Sequence, residues 1–368
     1  MRIGLVVNPV AGMGGAVGLK GTDGPGIVAE ARSRGAVERA GPRTCEALAL
    51  LAARVPGAEL IVAPGALGAD WADGLALSFP PIEMPLLTGT ARDTKTAVAA
   101  MGDVDLIVFT GGDGTARDVA GTAEGTPILG IPAGVKMHSG VFAVTPRAAG
   151  ALIADLLNAP DRIRWREAEI MDVDEVALRT GTISPRLYGM ARTPTSGGLM
   201  QAAKGGPPPD ADGAVKGAAK GIAGAMEPDI LYIVGPGRSA GAVMAAAGHE
   251  PTLLGVDALL NGKVVARDAT ARDLHTLMDT HPVRVIVGVT GHQGFVLGRG
   301  NQQIDPDVLR RAGPDGLTII ASPEKLSSLA APRLLVDTGD AALDAEFSGF
   351  HRVATGPGRM TMMRLSSE

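Results

Sequence analysis

Apolar runs of strand length recur along the chain, most of them closed by a glycine-bearing turn and followed by residues at helical spacing. In the first 145 residues Ile3–Val7, Leu60–Ala63, Met84–Leu87, Leu106–Phe109 and Ile128–Ile131 read as strands. Pro25–Arg34, Thr44–Arg54, Ala69–Leu77 and Asp93–Met101 read as helices, with Thr44 as the cap of the second. This alternation predicts an α/β fold with a parallel, doubly wound sheet. Right-handed crossovers then gather the glycine turns on one sheet edge. Pro146–Leu157 is a further helix, after which Arg162–Val173 and Arg186–Arg192 alternate charged and apolar residues and predict a short antiparallel β segment. Residues 202–225 are rich in Ala, Gly, Pro and Lys; they read as a linker or a lid, with Asp212 capping a weak helix that carries Lys216 and Lys220. The βα rhythm returns with strands at Ile230–Val234, Thr252–Val256, Val283–Val289, Leu317–Ala321, Leu334–Val336 and near Thr361–Leu365. Helices are expected at Ala271–Met278, Pro306–Ala312 and Pro323–Leu329. The expected division is therefore an N-terminal nucleotide- or phosphate-binding domain over 1–145, a mixed segment over 146–228, and a second α/β domain over 229–368 whose last strand returns to the first. A cleft between the two halves is expected.

Composition changes this picture little. With 368 residues, 45% hydrophobic and 20% charged, the chain can bury a full core. Aromatics make up only 3%, so that core is aliphatic, with 14 methionines as fillers. A net charge of −5 argues against nucleic acid as a partner but leaves room for a local basic pocket. One cysteine, Cys45, excludes an internal disulfide and fits a reducing cytoplasm. No signal-peptide pattern opens the sequence and no run has the length of a membrane span. A small-molecule substrate and a homo-oligomeric assembly are expected.

The candidate chemistry centres on Leu106–Ile107–Val108–Phe109–Thr110–Gly111–Gly112–Asp113–Gly114–Thr115. A strand that opens through glycines onto a helix N-terminus presents free N–H groups to an anion, and glycine lets the backbone approach closely. Gly111, Gly112, Gly114 and Thr115 thus read as a phosphate turn. Asp113 would repel a phosphate; it reads as the helix cap, as a base for an attacking hydroxyl, or as a contact to a metal or its water. The first strand leads into Asn8, Gly12 and Gly14 and then Lys20, Thr22 and Asp23, a long glycine loop placed at the same edge. Gly134 and Lys136 follow Ile131, with His138, read as structural, and Ser139 close behind. Arg92 and Thr94 stand after another strand end, where capping by Asp93 is the simpler account. A second strand–glycine–helix junction runs through Gly235, Gly237, Arg238 and Ser239. The long loop Thr290–Gln303 carries Arg299, Asn301 and Gln302, residue types suited to reading a polar ligand.

These residues resemble a known family. Gly111–Thr115 after a strand, with Asn8–Pro9 and Gly12 after the first, is similar to the superfamily that joins NAD kinases with diacylglycerol and sphingosine kinases. Gly18–Gly24, Pro132–Lys136, Gly298–Gln303 and Val336–Asp340 resemble its ATP-NAD kinase-like group, which includes acetoin-catabolism protein X. The resemblance implies a kinase that uses ATP, or polyphosphate, with Mg²⁺. It also implies that Asp113 acts on the hydroxyl to be phosphorylated and that NAD is the leading acceptor. The chain lacks the Asn-Glu pair with which NAD kinases grip NAD. That departure keeps two alternatives open: a kinase of another polyol or nucleoside, and a nucleotide-binding accessory or sensor protein.

Overall fold

A computed structural model describes residues 1–19, 26–80, 82–85, 87–134, 137–173, 185–195, 212–290 and 293–367. The chain forms two compact units. One holds Met1–Met13 and Gly21–Ala203, the other Gly14–Lys20 and Lys204–Ser367.

The first unit is built on β1 (Ile3–Val7), β2 (Ala58–Val62), β3 (Leu77–Ser78), β4 (Leu106–Gly111) and β5 (Ile128–Pro132). They form one parallel sheet in the order β3-β2-β1-β4-β5. Every residue of β1, β4 and β5 is buried, because helices cover the sheet. Val7 pairs with Thr110, and Thr110 with Ile131, so the three strands end side by side. The helices are α1 (Ile27–Ser33), α2 (Ala40–Arg54), α3 (Ala69–Ala72), α4 (Ala91–Ala100), α5 (Asp113–Ala120) and α6 (Pro146–Asn158). Phe109 of β4 packs edge-on against Phe142 at 5.4 Å, one of few aromatic pairings such a composition allows. An antiparallel ribbon of β6 (Arg164–Val173) and β7 (Pro185–Thr195) completes the unit.

Three local expectations are corrected here. Helix α2 starts at Ala40, so Thr44 lies in its interior; its hydroxyl donates to the Ala40 carbonyl at 2.8 Å and meets the Thr110 hydroxyl at 2.7 Å. Threonine reads as a cap in sequence but can also return its hydroxyl to the preceding turn. Helix α3 stops at Ala72, and Leu77, expected to be helical, begins β3 instead. Met84, Pro85 and Leu87 join no strand, since proline has no N–H for a ladder. Cys45 is half-buried on α2, its thiol donating to the Trp71 carbonyl at 3.3 Å. Burial pushes its pKa up, which suits a filler better than a nucleophile.

The second unit contains β8 (Leu231–Val234), β9 (Asp257–Leu260), β10 (Lys263–Ala266), β11 (Val283–Gly288), β12 (Phe295–Leu297), β13 (Leu317–Ile320), β14 (Arg333–Val336), β15 (Gly349–Gly356) and β16 (Arg359–Ser366). They form one mixed sheet in the order β10-β9-β8-β11-β13-β15-β16-β14-β12. Its helices are α7 (Asp212–Gly224), α8 (Arg238–Ala246), α9 (Ala271–Met278), α10 (Pro306–Ala312), α11 (Pro323–Ser327) and α12 (Ala341–Phe347). The strand expected at Thr252–Val256 is a turn, closed by the Thr252 N–H on the Asp257 carboxylate at 2.7 Å; the strand starts at Asp257. An Asn261–Gly262 turn, both residues at positive φ, then makes a β9–β10 hairpin, a readable signal that the βα pattern masked. The long loop before Gln303 hides β12. The last strand does not return to the first sheet: β16 folds back on β15 and lies beside β14. Among the described residues no helix is long and apolar enough to cross a membrane.

Helices α2 and α6 pack so closely that a Cβ on Gly150 would stand 2.2 Å from the Ala47 carbonyl oxygen. Gly150→Ala is expected to destabilise the protein by about 1–3 kcal/mol through overpacking, measurable as a lower midpoint in denaturant unfolding.

Candidate active site

The ends of β1, β4 and β5 bring together three loops that lie far apart in sequence. The Asn8 side-chain amide donates to the Thr115 hydroxyl at 2.9 Å, tying the first loop to α5. Gly12 has φ 78°, and a Cβ there would stand 2.0 Å from the Ala133 carbonyl oxygen. Gly112 and Gly134 face each other so closely that a Cβ on Gly134 would stand 2.8 Å from the Gly112 Cα. Both Ala133 and Gly134 donate their N–H to the Gly111 carbonyl, at 2.9 and 3.1 Å. A Cβ on Gly111 would meet the Thr115 side chain at 2.4 Å. Glycine is thus required at these crossings by contact, and at Gly12 by conformation as well. The structure brings together Asn8, Gly12, Gly111, Gly112, Asp113, Gly114, Thr115 and Gly134. Its first-turn N–H groups at Asp113, Gly114 and Thr115 lie at the positive end of α5, the arrangement that accepts phosphate.

Asp113 is 8% exposed and is held by the loop after β5. One oxygen accepts from the His138 backbone N–H at 2.7 Å and meets His138 Nδ1 at 3.1 Å. The other accepts from the Ser139 N–H at 2.9 Å and the Ser139 hydroxyl at 2.6 Å. The Ser139 oxygen in turn accepts from the Met171 N–H of β6 at 3.0 Å. Gly140 continues the clamp, donating to the Glu169 carbonyl at 2.8 Å and accepting from Arg166 at 2.8 Å. The side chain of Asp113 does not cap α5; Gly112 precedes the helix and the carboxylate points to the neighbouring loop. The sequence reading left Ser139 without a role and took His138 as structural. Their pairing with Asp113 spans 25 and 26 residues, and no local pattern announces it.

Other expected contacts resolve differently. Arg92 is exposed and Thr94 buried beside a loop closed by Asp93, which accepts from Thr88 N–H and Gly89 N–H, at 2.9 and 2.7 Å, and from the Thr88 hydroxyl at 2.7 Å. Thr90, not Asp93, caps α4. Lys20, Thr22, Asp23 and Lys136 lie outside the described residues.

The second unit carries its own cluster. Gly14 belongs to it rather than to the first sheet edge, because Gly14–Lys20 is part of this unit. A Cβ on Gly15 would touch Gln302 at 3.1 Å, and the Ala16 carbonyl accepts from Ala271 N–H at the start of α9. Arg299 and Asp337, both 5% exposed, form an ion pair at 3.0 Å, and the guanidinium lies over the Phe295 ring at 4.5 Å. The sequence offered Arg299 to a polar ligand; the fold pairs it with a buried carboxylate, since an arginine buried alone would be costly. Asn301 donates to the Val296 carbonyl at 2.8 Å, while its buried Oδ1 has no partner among the described residues. Gly298 is forced by contact, as a Cβ would stand 1.7 Å from the Asp337 carbonyl oxygen. Gly235, Gly237 and Ser239 line the β8–α8 junction, where Gly237 at φ 100° opens the helix and donates to the Leu253 carbonyl.

A parallel sheet whose strand ends converge on a glycine-lined helix N-terminus places the first unit among the open α/β folds. Residues 3–162 match the ATP-NAD kinase N-terminal domain and residues 239–365 the ATP-NAD kinase C-terminal domain. The chain belongs to the ATP-NAD kinase family. No curated protein and no solved structure matches the chain. The family matches do not distinguish the acetoin-catabolism type.

The donor set at this edge fits a phosphate through backbone N–H groups. It offers a magnesium ion no vacant carboxylate oxygen at Asp113, whose oxygens are taken by His138 and Ser139. His275, Asp305 and Asp307, on and beside α9 and α10, stand near enough together to hold a cation, but they belong to the second unit and Asp305 already caps α10.

The geometry sets apart two glycines. Gly12→Ala combines a positive φ with a direct clash and should lower stability by about 1–3 kcal/mol, more than Gly89→Ala, which has φ 73° but open space around it. Denaturant unfolding of both variants checks the order. For Asp93, burial pushes the pKa up, but the N–H and hydroxyl donors outweigh it and hold it below its ordinary 3.8. A depressed carboxyl stabilises the fold fully above its unfolded pKa and loses that contribution as pH falls through the folded value. Wild type should therefore exceed Asp93→Asn in stability at neutral pH, and the gap should close below about pH 4, as followed by thermal unfolding across pH.

Proposed function

We propose that this NAD kinase-type protein transfers the terminal phosphoryl group of ATP to a hydroxyl of NAD, forming NADP. The observation that carries the reading is the convergence of Asn8, Gly12, Gly112, Thr115 and Gly134 on the N-terminus of α5. The membership of both halves in the ATP-NAD kinase family supports it. Phosphoryl transfer asks the protein mainly to position the reactants and to neutralise charge on the oxygens. Free N–H groups beside α5 hold the phosphates, and the glycines admit them to van der Waals distance. Mg²⁺ bound to the phosphate oxygens would supply further charge neutralisation. Polyphosphate is the second donor to test, because the N–H edge reads phosphate and not the base.

A different acceptor is favoured by one observation. No Asn-Glu pair of the NAD-gripping kind occurs, which suits a smaller polyol or nucleoside.

The protein is incubated with Mg²⁺ and NAD, with ATP or polyphosphate as donor, and NADP is measured by chromatography. NADP is expected, and Asp113→Asn should lower the rate at least about a hundredfold while ATP still binds. Phosphorylation of a polyol or nucleoside in place of NAD would overturn the acceptor. ATP binding without transfer to any hydroxyl would replace the kinase with a nucleotide-binding accessory protein.

A further inference from the structure

Among the described residues four groups stand around the Asp113 carboxylate, which has about four lone-pair positions when ionised. Three of them are fixed. The His138 and Ser139 N–H groups belong to the backbone, at 2.7 and 2.9 Å, and the His138 ring, 3.1 Å away through Nδ1, is on a buried residue. The fourth is the Ser139 hydroxyl, and it has two acceptors. Its oxygen stands 2.6 Å from the Asp113 carboxylate and 3.2 Å from the Met171 carbonyl. A hydroxyl has one hydrogen, which rotates to suit its surroundings. Here it can pass from one acceptor to the other with no heavy atom moving. Met171 also keeps that oxygen in place, since its N–H donates to it at 3.0 Å. The next residue, Gly140, donates to the Glu169 carbonyl at 2.8 Å and fixes the same loop to β6. Ser139 is fully buried, which shelters the exchange from solvent.

We infer that Ser139 is the positioning residue of Asp113, and that its hydroxyl turns to the Met171 carbonyl when the acceptor hydroxyl arrives. The inference rests on the phosphotransferase reading above, with Asp113 as the group that takes the hydroxyl proton. In the free protein the Ser139 hydroxyl donates to the carboxylate and helps to fix its orientation. The acceptor hydroxyl then donates to the lone pair that Ser139 gives up. Its oxygen forms a bond to the terminal phosphorus of the donor. The bond from that phosphorus to its bridging oxygen breaks, and its electron pair leaves with the nucleoside diphosphate. The hydroxyl proton passes to Asp113, and the Ser139 hydrogen stays on Met171. A bond to a carboxylate is stronger than one to a neutral carbonyl, so the turn is unfavourable by itself. The arriving hydroxyl offsets it by making a bond of the same kind. Asp113 thus keeps its charge met with the site empty and with the site filled.

The test has one arm free of turnover. Proton NMR of the serine-labelled full chain should show the Ser139 hydroxyl hydrogen far downfield, where a short bond to a carboxylate places it. Its loss in Ser139→Ala assigns the signal. NAD added with a non-hydrolysable ATP analogue should move the signal upfield, as a bond to a neutral carbonyl requires. A signal that stays in place with both ligands bound overturns the turn of the hydroxyl. The second arm is kinetic. Ser139→Ala should lower kcat about ten- to a hundredfold by loosening Asp113, with the KM values for ATP and NAD near wild type. Ser139→Thr, which keeps the hydroxyl, should regain most of that loss. A raised KM with kcat retained in Ser139→Ala overturns the positioning role and leaves the kinase standing, as does a folded Ser139→Thr no faster than Ser139→Ala. A wild type that binds both ligands and phosphorylates no hydroxyl overturns the kinase reading, while the signal still decides whether Ser139 lets go of Asp113.

Discussion

A buried carboxylate must have its charge met, and at Asp113 that requirement joins two loops. The residue stands at the start of α5, fixed there by the turn after β4. Its partners are two consecutive residues of the loop after β5, and through Ser139 the contact reaches β6. Charge-assisted bonds of this kind are short and directional. They set the path of the loop that carries His138, and they explain how Gly134 comes to lie on Gly112.

The same economy appears in the second unit. Arg299 and Asp337 satisfy each other out of water, with Phe295 beneath the guanidinium. Gly298 allows the backbone of the loop to touch the Asp337 carbonyl. Asp344 accepts from both the N–H and the hydroxyl of Thr338, at 3.0 and 2.6 Å, so the turn after β14 is held by a second buried carboxylate. A cation and an anion that each suggest a ligand are here joined to one another, and what they shape is the loop backbone.

Much of the fold was legible along the chain. Apolar runs marked β1, β4, β5 and β8, because a strand covered on both faces has no polar side to show, and they also marked β11 and β13, where Arg284 and Thr318 are the single polar interruptions. Edge and hairpin elements were harder. Two-residue β3 is too short for any periodicity, β12 is three residues inside a polar loop, and exposed β10 alternates weakly. Thr44 looked like a cap because its hydroxyl serves either role, and only its neighbour Thr110 on another element selects between them.

The sequence by itself determined the alternation of elements, the glycine turn after β4 and the residue types on offer for phosphate, since these depend on contacts a few residues apart. Only the tertiary structure decided which polar groups are spent on one another. Asp113 is engaged, Arg299 is paired, and His138 Nε2 has no hydrogen-bond partner among the described residues. Those outcomes depend on partners 25 to 38 residues distant, whose meeting is fixed by sheet order and loop path rather than by local spacing.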